Sequence, residues 1–299
     1  MSVYADDLLP LFLRVRDPAW STTPGATRAW LQDRLDEAIE VHTLPDRALV
    51  VWGPPRGAVQ HAVIAADPSD AGALAWLGAR LQSLHGLHDG FAARVDGAVG
   101  PLLQALLPCG FGPVSVELTG GVREALEALG DRGARLPEGF AIRPLEAADV
   151  AQVVAQRRAG FEAHPEHGYP TSPDPTVRAR IDASIADTLL DAARADVPTQ
   201  HVVTQDTRVV GSFGVTPAEG AHGIDLFLVP SARGRGLAWC GYGVLLRTLA
   251  DHGITRFDGT TASPAVVHVS AVLGRRVHTV ILGHRPPFLP LGNLSVPRA

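Results

Sequence analysis

The stretch PSARGRGLAW, residues 230–239, sets two arginines and two glycines between an apolar run, IDLFLV, and a longer mixed one. A strand that runs into such a turn and then a helix leaves the first N–H groups of the helix unpaired, where the positive end of its dipole also points. That is an anion site. Gly234 and Gly236 carry no Cβ to hold a ligand off the backbone, and Arg233 and Arg235 add charge-assisted hydrogen bonds suited to a diphosphate. A near copy, PSDAGALAW at 68–76, has neither arginine and puts Asp70 in the turn. Two missing charge-assisted contacts at ~1.5–3 kcal/mol each remove roughly two to four orders of magnitude in affinity, and the carboxylate repels phosphate besides. The first copy is therefore expected not to hold the anion that the second binds.

A dinucleotide turn is the competing reading, because Gly234-x-Gly236 stands between strand and helix and Asp258 follows about 22 residues on. Against it, the third glycine position is Trp239, too bulky for close helix-to-strand packing, and PSAR separates the strand from the first glycine. Other motifs carry less. His85-x-x-His88 and His164-x-x-His167 have metal spacing but bring no convincing third ligand, so no metal is expected. Gly211-Ser212-Phe213-Gly214 is no nucleophile elbow, since its first glycine is out of place and no helix follows. Trp76 and Trp239 take matching places in matching helices, which core packing explains.

The elements that position the turn can be read from periodicity and punctuation. FAIRP (140–144) reads as a strand, followed by an amphipathic helix, the polar loop EHGYPTSPDPT and a second helix over about 177–195. HVVTQ (201–205) and RVVGSFGV (208–215) form a hairpin about Asp206 and Thr207, and IDLFLV (224–229) is the next strand. After the turn come a helix ending on Gly253, the strand ITRFDG, a helix opened by Ser263-Pro264, a Leu273-Gly274 turn and the strand VHTVIL (277–282). The antiparallel hairpin suits a mixed sheet better than a parallel βαβ start.

The first half repeats the later part of this order. ALVVW (48–52) and VQHAVIAA (59–66) are strands, and PSDAGALAW leads into a helix to about His85. FAARV (91–95), a helix opened by Pro101, a turn at Gly110 and VSVEL (114–118) follow. Trp76 and Trp239, Pro101 and Pro264, and Gly110 and Gly274 are matched at an offset of about 163 or 164 residues. A loop, a helix start and a helix end in one register point to an internal duplication. The expected division is a first domain over 1–120 without a phosphate loop, a linker helix over 121–138 and a second domain over 139–299.

Composition bounds the rest. The 299 residues are 46% hydrophobic and 19% charged with a net charge of -5, an ordinary globular balance that argues against nucleic acid as a partner. Every basic residue is arginine. Cys109 and Cys240 make no disulfide framework, and LLPLFL (8–13) is too short to span a membrane, so a cytoplasmic protein with no membrane partner is expected.

Arg233-Gly234-Arg235-Gly236-Leu237-Ala238, after a strand ending in Val229-Pro230, resembles the Arg/Gln-x-x-Gly-x-Gly/Ala motif of the GNAT acyl-CoA N-acyltransferases. The resemblance extends over residues 139–285 in the order of elements. It implies an α/β (α+β) protein of two tandem GNAT-like domains, each a mixed, mostly antiparallel sheet flanked by helices, with a degenerate N-terminal copy. It implies an N-acetyltransferase that moves an acetyl or other acyl group from CoA to a primary amine of a small molecule or peptide by direct attack, with acetyl-CoA as co-substrate. On this resemblance the pyrophosphate lies on the turn from Arg233 to Ala238, and the pantetheine arm pairs with the backbone from about Leu226 to Val229. Leu228 or Val229 then offers its N–H to the developing oxyanion.

The resemblance also locates the acid–base candidates. Asp225 on the motif strand is the candidate base. Glu162, His164, Glu166 and His167 fall where the family places acceptor-facing elements and together favour a cationic amine. The family's late helix carries a tyrosine where this chain has Ser270, a much poorer acid. Ser263 stands in place of an asparagine ahead of that helix and is grouped with the cofactor-binding residues, and Arg275 replaces a phenylalanine after the turn glycine. Tyr242 and His268 are substitutes by helix placement alone, and a thiolate with a pKa of ~8.5 can leave unprotonated. These departures keep open a non-catalytic acyl-CoA-binding sensor, and the dinucleotide reading would make the chain an NAD(P)-binding oxidoreductase.

Overall fold

The computed structural model of the chain describes residues 5–15, 24–56, 59–67, 69–85, 91–96, 99–163, 174–194, 199–216 and 222–283. The elements begin with α1 (Ala5–Val15), α2 (Pro24–Asp36), β1 (Glu40–Leu44), β2 (Ala48–Arg56), β3 (Val59–Ala66), α3 (Ala71–His85), β4 (Phe91–Asp96), α4 (Val99–Leu106) and β5 (Gly112–Gly121). Then come α5 (Val122–Leu129), β6 (Phe140–Pro144), α6 (Val150–Ala163), α7 (Pro175–Arg194), β7 (Gln200–Gln205), β8 (Arg208–Thr216) and β9 (His222–Leu228). The chain continues with α8 (Leu237–Asp251), β10 (Arg256–Thr261), α9 (Pro264–Val272) and β11 (Arg276–Gly283). Contacts group them into two compact units, the first holding the chain to Leu118 with 260–271 and from Arg276 on, the second Thr119–Gly259 with Val272–Arg275.

In the first unit the strand order is β1-β2-β3-β4-β11-β5. Alternation along β2 splits its side chains between two cores, as a sheet covered on both faces requires. Ala48, Val50 and Trp52 pack with Leu77, Leu81, Leu102 and Leu106 of α3 and α4, whereas Leu49 and Val51 pack with Leu8, Leu11 and Phe12 of α1. LLPLFL thus lies within an amphipathic helix, and no helix among the described residues is long and apolar enough to cross a membrane. Residues 5–44, for which periodicity names no element, supply α1, α2 and β1.

The repeated turns match in conformation as well as in sequence, since Gly110 and Gly274 are both left-handed, with φ of 84° and 70°. The sequence repeats and the compact units do not coincide, however. β11, the last strand of the second repeat, pairs antiparallel with β4 from Thr279↔Asp96 to Gly283↔Ala92. Its Val277, Val280 and Leu282 enter the first unit's core together with Val267 of α9. A strand edge satisfies its N–H and C=O groups with whichever strand is presented to it, and β4 receives one from the second repeat.

The second unit is built on β10-β9-β8-β7-β6. Its strands pair antiparallel except for β9 with β10, and the hairpin of β7 and β8 turns at Asp206, with φ 54°. α6 and α7 cover one face, setting Val150, Val153, Val154 and Leu189 against Val202 and Val209. On the other face lies α8, whose Gly241 meets Leu226 and Phe213. The short helix expected between the repeats is α5, and the turn after it packs on α8, where Gly133 and Gly243 permit close approach.

Candidate functional site

β9 leads into a 3-10 turn, Pro230–Ala232, and then through Arg233, Gly234, Arg235 and Gly236 into α8. Gly234 and Gly236 have φ of 73° and 79°, and a Cβ on either would meet nothing within 4 Å. The backbone conformation requires glycine, and the space before it is open. α8 has no side-chain cap. The N–H groups of Trp239 and Cys240 both go to the Gly236 carbonyl, at 3.0 and 3.4 Å. Those of Leu237 and Ala238 make no backbone hydrogen bond among the described residues and stay available to an anion. Arg233 Nε donates to the Leu228 carbonyl at 3.0 Å, tying the turn to its strand, and the Arg235 guanidinium lies 5.7 Å from the Phe140 ring centroid. Both arginines are exposed.

The strand ahead of the turn has an open flank. Among the described residues β9 pairs in parallel with β10 only at Phe257↔His222 and Asp258↔Gly223, so the ladder between them stops well short of the turn. On its other side β9 stays paired with β8 from Thr216↔Gly223 to Gly211↔Leu228. In an antiparallel ladder the N–H and C=O of alternate residues point to opposite sides. The Val229 N–H donates to the Val210 carbonyl at 3.0 Å, so by alternation those of Leu228 and Leu226 face away from β8, into the fork. Leu228 and Val229, interchangeable as sequence, therefore differ: one N–H faces the fork and the other is used within the sheet.

A buried cation stands at the closed end of the fork. Arg275 is 2% exposed, and its guanidinium lies 4.9 Å from the Phe257 ring centroid and donates to the Tyr242 hydroxyl at 3.3 Å. Burial pushes its pKa down, an effect that Tyr242 and Asp258 oppose. The backbone makes room for it with two glycines. A Cβ on Gly120 would stand 2.9 Å from Arg275 Cγ, and one on Gly259 2.9 Å from Arg275 Nη2 and 3.0 Å from the Ile224 carbonyl. Sequence reasoning singles out Arg275 only as a departure from a motif, and the paired glycines are the signal that accompanies it.

The remaining candidates are spread over several elements. Asp225 lies on the α6 side of β9, its side chain 47% exposed and 2.6 Å from Arg157 Nη2, an ion pair that sequence reasoning missed. Arg157 also donates to the Ser212 hydroxyl, from Nε at 3.3 Å and Nη2 at 3.2 Å. Glu162 lies 3.5 Å from Arg178. Ser270 is fully buried in α9, whereas His268 of the same helix is exposed. Ser263 precedes that helix, its carbonyl accepting from the Val267 N–H at 3.0 Å and its own N–H donating to Thr261 Oγ1 at 3.0 Å. Ser263 and Ser270 belong to the first unit by contact, while Asp225 and the turn belong to the second. His88, His164, Glu166 and His167 lie outside the described residues. Among the described residues, no group of three or more His, Cys, Asp or Glu is placed to hold a metal.

The first copy of the turn is arranged differently. Asp70 caps α3, accepting from the Ala73 N–H at 3.0 Å, and Arg47 grips the same carboxylate from Nε at 2.5 Å and Nη2 at 2.7 Å. The helix start that would meet an anion is already met by one belonging to the chain.

No protein-family model matches the sequence, and no curated protein matches it. Solved structures do match the fold. A GCN5-related N-acetyltransferase from Sphaerobacter thermophilus aligns at 16% identity over 95% of this chain and 93% of its own, with a TM-score of 0.57. A tandem GNAT protein from the clavulanic acid biosynthesis pathway aligns at 13% identity over 95% of this chain and 98% of its own, with a TM-score of 0.51. Both alignments run through the two repeats, and with the forked parallel pair and the glycine-arginine turn they establish that the chain has the tandem fold of the GCN5-related N-acetyltransferases.

Proposed function

We propose that the second unit transfers an acyl group, acetyl in the simplest case, from CoA to a primary amine. The observation that carries this reading is the fork between β9 and β10, which leads to an uncapped helix start with two left-handed glycines and two arginines. An extended thioester cofactor needs both parts: backbone groups along its arm and an anion site at its diphosphate end. The Leu226 and Leu228 backbones suit the arm, and Arg233, Gly234, Arg235, Gly236, Leu237 and Ala238 suit the diphosphate.

The chemistry asked of the site is modest. The amine nitrogen attacks the thioester carbonyl, a C–N bond forms, the C–S bond breaks and the electron pair leaves on sulfur. Asp225 receives the proton the amine gives up, directly or through water. The Leu228 N–H, facing the fork, is the oxyanion donor in this reading. With Ser270 buried, the thiolate leaves without a dedicated acid, as a group with a pKa of ~8.5 can. The first copy, its helix start occupied by Asp70 and Arg47, binds no CoA.

Calorimetry with acetyl-CoA, NAD and NADP, followed by assay of thiol release over a panel of amines, tests the reading. Saturable acetyl-CoA binding with amine-dependent thiol release is expected. Binding of NAD without CoA would overturn it, and CoA binding without turnover on any amine would replace it with a sensor.

A further inference from the structure

We propose that the acceptor is a small zwitterion, an amine that carries its own carboxylate one or two carbons away, as a free amino acid does. The proposal rests on the acyl-transfer reading of the same unit.

Gln200 pairs with Gly214, and Gly214 with Asp225, so the three form one cross-strand row on one face of the sheet. Arg157 of α6 reaches Asp225, which identifies that face as the one covered by α6. The Gln200 amide lies across the glycine: its atoms stand 2.1–2.2 Å from where a Gly214 Cβ would be. Gly214 is thus the gap that lets the amide lie down toward Asp225. Gln200 is 7% exposed, and its Oε1 is buried with no hydrogen-bond partner among the described residues. Buried amides left unpaired are destabilising and uncommon, and by turning about its terminal bond this one presents either an acceptor or two donors.

Arg157 is also incompletely used. Its Nε and Nη2 serve Ser212 and Asp225, while Nη1 makes no hydrogen bond among the described residues. The guanidinium and the Asp225 carboxylate sum to zero charge. A bare ammonium drawn to Asp225 is repelled by the adjoining Arg157, so a polyamine or a lysine side chain gains less here than a ligand that also brings an anion for Arg157. A ligand with opposite charges close together meets both partners, its ammonium on Asp225 and the Gln200 amide, its carboxylate on the unused Nη1 of Arg157. Among the described residues, neighbouring charges of α6 and α7 are paired likewise, Arg158 with Asp182 at 2.7 Å and Arg178 with Glu162 at 3.5 Å.

The test is calorimetric titration of the full chain, with CoA present, using the common free amino acids, their methyl esters and the corresponding decarboxylated amines. At least one amino acid is expected to bind about tenfold or more tightly than its ester and its amine. Arg157→Gln should abolish that preference while acetyl-CoA still binds as in the parent, and Arg157→Lys should restore part of it. Gln200→Ala is the second variant, expected to weaken the amino acid about fivefold or more. Esters or amines that bind as well as the acids, no binding by any amino acid, or a preference that survives Arg157→Gln would each overturn the proposal. Failure of the acyl-transfer reading shows separately, as absent CoA binding or absent thiol release, because acceptor discrimination is read here by binding alone.

Discussion

Arg47 holds Asp70 through two hydrogen bonds, at 2.5 and 2.7 Å, at the helix start where the second repeat has the open turn of Arg233 and Arg235. The hydrogen bonds from Arg47, joined by the Ala73 N–H, hold the Asp70 carboxyl well below the usual carboxylate range. It is ionised at any physiological pH and stays in place as a built-in anion. The expected stoichiometry is one CoA per chain by calorimetry, with the Arg233→Ala, Arg235→Ala double variant losing about tenfold or more of that affinity. Two sites per chain, or a double variant that binds normally, would reassign the diphosphate.

Gly236 adopts φ 79° immediately before α8. An L side chain there is strained by about 1–2 kcal/mol, although the space around it is open. Gly236→Ala should lower the stability read by denaturant unfolding by that amount and weaken CoA binding, because relief of the strain shifts the N–H groups that face the anion. An unchanged affinity alongside the expected stability loss would separate the turn's folding role from its binding role.

Gly259 leaves the volume that the Arg275 guanidinium fills at the fork. A methyl group at 2.9 Å from Nη2 and 3.0 Å from the Ile224 carbonyl forces one of them to move. Gly259→Ala is expected to cost about 1–3 kcal/mol in unfolding free energy and to reduce acetyl-CoA affinity by altering the fork. Substituting the exposed Gly253, also left-handed with φ 70°, strains the backbone without approaching Arg275, and should leave CoA affinity as it was.

Local chemistry made much of this architecture legible. The glycines of the turn, the Gly110 and Gly274 helix ends, the Asp206 hairpin and the Ser263-Pro264 helix start all depend on residues within a few positions of one another, and each takes the conformation its sequence demands. What escaped was long-range. Nothing in the periodicity of VHTVIL says that it pairs with β4, because alternation fixes which face a residue takes and not which strand it joins. The reach of Arg157 to Asp225, the Gln200 amide over Gly214 and the Arg275 berth each join separate elements, and a motif read along the chain cannot bring them together. In α2 the apolar positions form no clear stripe, so its burial against the sheet is set by packing rather than by pattern.

Asp225 is the one carboxylate on β9, and a base at that place must act after CoA has bound rather than in binding it. Asp225→Asn keeps the shape and a partner for Arg157 while removing the proton acceptor. Turnover is expected to fall about 100-fold or more, with acetyl-CoA affinity within about twofold of the parent. A rate that survives would pass the role to water.

Asp149 supplies a pH dependence of stability that is independent of the site. It closes a capping box at the 3-10 turn that leads into α6, accepting from the Glu146 N–H at 2.9 Å, and its carboxylate takes two hydrogen bonds from Arg143, at 2.6 and 2.8 Å. The Arg143 hydrogen bonds, helped by that backbone N–H, hold its carboxyl below the ordinary range against the opposing effect of burial. A carboxyl with a depressed folded pKa contributes stability that is fully present above its unfolded pKa of ~3.9 and is lost as pH falls through the folded value. Asp149→Asn should therefore cost roughly 1–3 kcal/mol near neutral pH, and the gap between variant and parent should close below about pH 4. Denaturant unfolding measured across that range checks it, and a gap that stayed constant into acid would mean that shape rather than charge holds the cap.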